Sequence, residues 1–90
     1  MKIDAKFKIE FVNNQSVIIN TDNQKICGTV DFNDIKMFLW TLSQGRDISK
    51  QQMLAEVLKK FEISTVLALG EIDAFIKKLK EFGIIHNEKK

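Results

Sequence analysis

Two residues have the side chains that most often act as nucleophile and base, and they stand far apart in the chain. Cys27 is the only thiol and His86 the only imidazole among the 90 residues. The pattern places Cys27 in a strand and His86 in a polar tail, residues 86–90, that we expect to fray. A Cys/His mechanism needs both groups within hydrogen-bonding reach. We therefore expect no catalysis by this pair.

Metal and phosphate sites have no better support in the sequence. No two Cys or His residues have the spacing of metal ligands, and the carboxylates are spread singly along the chain. The glycines also stand alone and form no phosphate-binding loop. The sequence predicts a protein that is not an enzyme and that holds neither a metal nor a cofactor.

Length and composition indicate one domain, residues 1–90. Hydrophobic residues make up 44% of the chain, which is enough to form a thin core. The net charge of +2 is too small to imply a nucleic-acid partner from composition alone.

A single cysteine favours a reducing compartment. The first residues alternate charged and apolar, unlike a signal peptide, and the longest apolar run, residues 37–40, is too short to span a membrane. We expect a cytoplasmic protein without membrane contacts.

Three strands are predicted in the first third of the chain, over residues 3–12, 16–20 and 25–32. In the first, apolar residues occupy every second position from Ile3 to Phe11, as in a half-buried strand. The polar turns between the strands are short, which favours sequential hairpins. In the third strand, Ile26, Gly28, Val30 and Phe32 are predicted to share one face.

Three helices are predicted next, over residues 34–44, 49–61 and 65–82. Asn33 is a favourable N-cap, and Ser49 with Gln52 forms a capping box. At the end of the third helix, Gly83 is predicted to adopt a left-handed conformation and Ile84 to pack on Leu79. The fold class is therefore α+β, winged helix-turn-helix-like, with a three-stranded antiparallel sheet followed by three helices.

This arrangement also occurs in DNA-binding transcription regulators, in which the third helix enters the major groove. Residues 64–76 contain Glu71 and Asp73 but no Lys or Arg. Phosphate contact and base readout usually require cationic and amide side chains. A winged-helix regulator is thus the alternative function, and no nucleic-acid partner is expected.

From Val30 to Ile85 the chain resembles the PqqD family, small peptide chaperones whose fold recurs as the RiPP recognition element of peptide maturases. The joint spacing of several short motifs carries this resemblance. The motifs are Phe32-Asn33, Leu39-Trp40, Gly45, the segment from Ile48 to Phe61, Glu71-Ile72, Phe75-Ile76 with Leu79, and Gly83-Ile84. Lys36, Met37 and Glu71 depart from the usual family residues and leave the subfamily open.

The resemblance implies a noncatalytic, peptide-binding adaptor. Such a protein captures the leader of a ribosomally synthesised precursor peptide and presents it to a modifying enzyme, for example a radical SAM maturase. The expected partners are the leader peptide and that enzyme. A homodimer stays open as a quaternary state.

The expected leader-binding site joins the free edge of the third strand to one face of the third helix, because an edge strand offers unpaired backbone groups. Gly28 would let another backbone approach closely, or else it marks a bulge or tight packing against a helix. The strip formed by Leu67, Gly70 and Ala74 would form a groove wall, or else pack within the core. The candidate residues are Lys25, Ile26, Cys27, Gly28, Thr29, Val30, Leu67, Gly70, Glu71, Ala74 and Lys78.

Overall fold

The computed structural model describes residues 1–85, so the predicted fraying of residues 86–90 lies outside the described residues. Within this part, a three-stranded antiparallel sheet of order β1-β2-β3 precedes three helices, which confirms the predicted fold class. The strands are β1 (Phe7–Val12), β2 (Gln15–Asn20) and β3 (Lys25–Val30), and the helices are α1 (Asp34–Ser43), α2 (Lys50–Lys60) and α3 (Thr65–Glu81).

A two-residue turn joins β1 to β2. Asn13 and Asn14 have φ values of 53° and 63°, the left-handed region that asparagine tolerates better than most residues. This turn sets the register of the pair, with Val12 opposite Gln15 and Ile9 opposite Ile18. The first hairpin therefore follows from local turn chemistry.

The pairing of β2 with β3 contains a bulge at Cys27. Ile18 lies opposite Gly28, but the adjacent Ile19 lies opposite Ile26, so Cys27 is an extra residue without a cross-strand partner. Because side chains alternate along a strand, the extra residue turns Ile26 to the face opposite Gly28 and Val30. The prediction that Ile26 shares a face with those residues is wrong, and 56% of the Ile26 surface is exposed.

The predicted first strand is too long at its N-terminal end. Regular pairing begins only at Phe7, because the Asp4 carboxylate accepts a hydrogen bond from the Lys6 N–H (2.9 Å) and holds a turn there. Ile3 instead lies beside the end of α1. Its N–H donates to the Ser43 carbonyl (2.9 Å) and its carbonyl accepts from the Gly45 N–H (2.7 Å). The alternating apolar pattern correctly indicated that Ile3 is buried. It placed Ile3 in the first strand, however, whereas the Ile3 backbone bonds to Ser43 and Gly45 at the end of α1.

Local capping fixes the helix boundaries. The Asn33 side chain accepts from the Lys36 N–H, and both hydrogen bonds of the Ser49–Gln52 capping box form (3.1 and 2.8 Å). Gly83 has a φ of 73°, and the Ile84 N–H donates to the Leu79 carbonyl (2.9 Å). The predicted caps are confirmed.

The helices cover one face of the sheet. Phe7, Ile18 and Val30 from the sheet are buried in one cluster with residues of all three helices, including Leu39, Met53 and Phe75. We call the opposite side of the sheet the outer face. From the strand registers, it carries Lys8, Glu10, Val12, Gln15, Val17, Ile19, Ile26 and Thr29.

Candidate functional site

A small groove separates the end of β3 from α3. Thr29 and Val30 line it on the sheet side, Ala74 and Lys78 line it on α3, and Lys36 reaches it from α1. Asp31 and Phe32 complete the lining, and the volume is about 260 Å³. We call this feature the β3–α3 groove.

Two aromatic contacts hold α3 beside the third strand. The Phe32 and Phe75 rings are tilted against each other with centroids 5.5 Å apart. The Phe82 ring lies on Gly28, where an added Cβ would come within 2.5–2.8 Å of the ring atoms. Gly28 therefore allows the Phe82 ring to pack closely on this face beside the bulge, where an added Cβ would require the ring to shift. Its hydrogen-only side chain is covered by Phe82 and does not admit another backbone on that face.

The pairing of β1 with β2 determines which way the β2 backbone groups point. The Thr21 N–H donates to the Lys6 carbonyl (2.8 Å), which identifies this pair as hydrogen-bonded. Hydrogen-bonded and non-hydrogen-bonded pairs alternate along an antiparallel ladder. Val17 and Ile19 therefore bond to β1, whereas the backbone groups of Ile18, between them, point toward β3.

The same alternation directs the Thr29 backbone away from the sheet. Gly28, opposite Ile18, and Val30, opposite Ser16, have their N–H and C=O groups directed at β2. Thr29 lies between them, so its N–H and C=O point to the open edge. The structure thus places one edge-facing amide beside the β3–α3 groove.

An ion pair closes one side of the groove. Lys36 Nζ lies 2.6 Å from Glu71 Oε1, and the Asn33 side-chain amide donates to the same carboxylate (3.1 Å). The Lys36 ammonium and the Asn33 amide stabilise the ionised carboxylate, and together they lower the pKa of Glu71 despite its partial burial. This pair joins α1 to α3 and holds the start of α1 at the groove.

Removing the charge of Glu71 should make stability less dependent on pH. Because its pKa is lowered in the folded protein, the stabilisation from the Lys36–Glu71 pair is fully present above the ordinary value of 4.5 and is lost as the pH falls through the lowered value. We expect Glu71→Gln to reduce the free energy of unfolding by about 1 kcal/mol at pH 7. The difference should be smaller at pH 3 than at pH 7, as measured by urea unfolding at both pH values.

Glu62→Gln, at an exposed position between α2 and α3, is the matched control and should have little effect at either pH. A Glu71→Gln effect of the same size at pH 3 and pH 7 would show that packing, and not the ion pair, is responsible.

The structure brings some of the candidate residues together and separates others. Leu67 and Gly70 are exposed on the same stripe of α3, nearer its N-terminus, so the strip does not pack within the core; 62% of the Leu67 surface is exposed. Lys25 and Ile26 lie before the bulge and outside the groove, and Cys27 packs against the core. The candidates that line the groove are Thr29, Val30, Ala74 and Lys78, with Glu71 adjacent through Lys36.

Sequence reasoning missed three groove residues. The missed residues are Asp31 and Phe32, which follow β3, and Lys36, which lies in the first turn of α1. Strand and helix periodicities describe each element by itself, so they do not predict that residues of two elements line one groove. The Phe32-Asn33 motif could have drawn attention to this corner, because it places an aromatic residue directly before a helix cap.

Larger clefts lie on the other flank of α3. One of about 530 Å³ runs from the N-terminal residues to Ile76 and Lys80, and one of about 630 Å³ adjoins it. A Lys50–Asp73 ion pair (2.6 Å) lies between α2 and α3 there. Neither cleft contains a candidate residue or an open strand edge, so size alone does not make them the site.

Chemistry-bearing clusters are sparse in the described residues. Over residues 1–85, no group of three or more His, Cys, Asp or Glu side chains is arranged to hold a metal ion. In the same range, no helix has both the length and the apolar character needed to cross a bilayer.

Comparison of the chain with family models, with curated proteins and with solved structures finds no match.

Proposed function

We propose that this protein is a noncatalytic adaptor that binds the leader of a ribosomally synthesised precursor peptide by strand addition at β3. The peptide would lie along the β3–α3 groove and leave its core segment accessible to a modifying enzyme, such as a radical SAM maturase in the cytoplasm. The resemblance to the PqqD family motivates this proposal. The β3–α3 groove supports the proposal because it offers an extended peptide a strand edge and a helix surface to bind.

The observation that carries the proposal is the free edge of β3 at Thr29, with an apolar helix surface beside it. An added strand hydrogen-bonds to edge-facing N–H and C=O groups, and side-chain pockets then give specificity. Ala74 is exposed on α3 and presents little bulk to the groove. A peptide side chain could therefore lie between α3 and the strand while its backbone pairs with Thr29.

The size of the groove also favours a peptide side chain over a small-molecule substrate. Pockets for drug-sized ligands usually enclose about 300–1,000 Å³. The β3–α3 groove, at about 260 Å³, is smaller and opens along a strand edge. It is suited to anchoring one side chain of a longer, extended ligand.

The exposed surface at the start of α3 opposes the DNA-binding alternative. Val66 and Leu67 are 79% and 62% exposed there, and no Lys or Arg occurs before Lys77 in this helix. A helix that enters the major groove needs cations near the phosphates. An apolar surface is better suited to contact with a peptide or protein.

Narrowing the groove should weaken peptide binding without affecting the fold. Ala74→Gln lengthens a side chain that lines the groove, at an exposed helical position where Gln is well tolerated. We expect the affinity for a fluorescein-labelled leader peptide of a ribosomally synthesised precursor to fall about tenfold. Fluorescence anisotropy measures the affinity, and circular dichroism checks the fold.

Ala55→Gln is the matched control, because Ala55 is exposed on α2, away from the groove. It should bind the leader peptide like the parent protein. Equal loss in both variants, or no loss in Ala74→Gln, would contradict binding in this groove. Failure of the parent protein to bind the leader at all would contradict the proposed function itself.

A further inference from the structure

The outer face of the sheet is unusually apolar for a face that none of the helices within residues 1–85 covers. Val17 is only 4% exposed, yet it lies outside the helix-packed core, because it points away from Ile18. Ile19 is half-buried beside it, and Ile26, across from Ile19, is 56% exposed. Antiparallel sheets with one solvated face usually place polar side chains there. Val17 is already covered within one copy, so the part of this stripe of β-branched residues that is open to a partner is Ile26 and the exposed part of Ile19.

The bulge at Cys27 contributes directly to this surface. Without the extra residue, Ile26 would share the face of Gly28, beneath the end of α3. With it, Ile26 extends the apolar stripe of the central strand to the third strand. As a result, the large aliphatic side chain of Ile26 lies on the outer face and not in the core.

The charges on the outer face are arranged in a way that suits a second copy of the same surface. Lys8 lies in one cross-strand row with Ile19 and Ile26. Glu10 lies in the next row, with Val17 and Thr29. Within the three strands, the outer face thus carries one cation and one anion, Lys8 and Glu10, both on β1 and two residues apart. The charges of these strand residues balance and do not favour a polyanion or a polycation.

We propose that two copies of this chain associate face to face through the outer faces of their sheets. A two-fold axis that crosses the strands between the two rows brings Lys8 of each copy opposite Glu10 of the other. The same axis brings Ile19 opposite Val17 and Ile26 opposite Thr29. A single symmetry operation therefore pairs Lys8 with Glu10 twice and covers Ile19 and Ile26, as an isologous interface requires.

The dimer is weak because the surface is small. Strands of six residues span about 20 Å, and three strands about 14 Å, which gives a footprint of roughly 300 Å² per copy. Stable interfaces bury about 800 Å² per partner. We expect dissociation constants on the order of 100 µM, with sheets about 10 Å apart.

Charge reversal tests the arrangement directly. The parent protein should shift from monomer to dimer between about 10 µM and 1 mM in sedimentation velocity. Lys8→Glu and Glu10→Lys should each weaken dimerisation at least fivefold, because like charges then face each other across the axis. A mixture of the two single variants should form a heterodimer, and the double variant with both changes should recover the parent affinity.

Lys77→Glu, an exposed position on α3, is the control for net charge and should dimerise like the parent. Ile26→Ser should also weaken the dimer while the fold, checked by circular dichroism, is retained. A parent protein that stays monomeric at 1 mM would overturn the proposal. A dimer dissociation constant that is unchanged in Lys8→Glu, Glu10→Lys and Ile26→Ser would overturn the proposal as well, and would indicate that the copies pair through strand edges instead.

Discussion

Thr29→Pro should leave the protein folded and reduce leader-peptide affinity more than tenfold, whereas Val30→Pro should disrupt the fold. The two positions are adjacent, and proline removes a backbone N–H at each. The Val30 N–H is directed at β2, opposite Ser16, while the Thr29 N–H is directed at the open edge. The same substitution thus probes a structural hydrogen bond at Val30 and the proposed peptide-binding hydrogen bond at Thr29.

The magnitudes separate the two outcomes. Val30→Pro loses a ladder hydrogen bond and places a ring inside a sheet, and Val30 is also a buried core residue, so we expect a loss of about 3 kcal/mol or more in the free energy of unfolding. Thr29→Pro should cost about 1 kcal/mol or less in stability. Its loss of affinity, more than tenfold, corresponds to about 1.4 kcal/mol of binding free energy or more.

Urea unfolding gives the stability of each variant, and calorimetric titration of the leader peptide gives the affinity. Gly28→Pro should behave like Val30→Pro, because its N–H is also directed at β2. A folded Thr29→Pro variant that binds the leader as tightly as the parent would rule out strand addition at this position.

Ile3→Ala should destabilise the protein by about 2–5 kcal/mol, the range measured for removing a large buried aliphatic side chain. Ile3 has no exposed surface, and its backbone is hydrogen-bonded to Ser43 and Gly45 at the end of α1. The alanine variant keeps those backbone bonds but leaves a cavity between the N-terminal segment and the helices. The measured cost therefore reports on packing alone.

Ile26→Ala is the matched control, since the sequence pattern placed Ile3 and Ile26 each on the apolar face of a predicted strand. Ile26 is 56% exposed on the outer face, so its truncation should cost less than about 1 kcal/mol. Both variants are measured by urea unfolding at low protein concentration. Similar costs at the two positions would mean that the bulge does not turn Ile26 outward.

Signals that act within a few residues allowed the sequence to predict much of the fold. The capping box at Ser49 and the left-handed Gly83 each depend on neighbours in the chain, and both form as predicted. The helix and strand patterns gave the correct element order for the same reason. Local chemistry also favoured a turn after Val12, which was predicted over Asn13, Asn14 and Gln15 and is formed by Asn13 and Asn14 alone.

Features that depend on distant partners were not predictable from the sequence. Gly28 allowed a bulge as one interpretation, but the sequence does not show that Cys27 is the residue without a partner on β2, because the bulge is a property of the pair of strands. The position of Ile3 depends on Ser43 and Gly45, forty residues further along the chain. The groove was predicted only in part, because the strand and α3 suggested its walls while Lys36 reaches it from a third element.

The choice between two roles for Gly28 also required tertiary information. A glycine within a strand indicates close approach by some group, but the sequence cannot say which group. Phe82, more than fifty residues later, supplies the ring that lies on Gly28.

The bulge at Cys27 also affects how safely β3 can remain unpaired at its edge. Long, flat edge strands can template the stacking of identical chains into fibrils, and a bulge interrupts the regular spacing of the amides and increases the local twist. In β3 the bulge confines the regular part of the edge to a short stretch around Thr29. Lys25 at one end of the strand and Asp31 just after the other are both exposed, so stacked copies in register would bring like charges together. The edge can therefore accept one short partner strand while resisting amyloid-like growth.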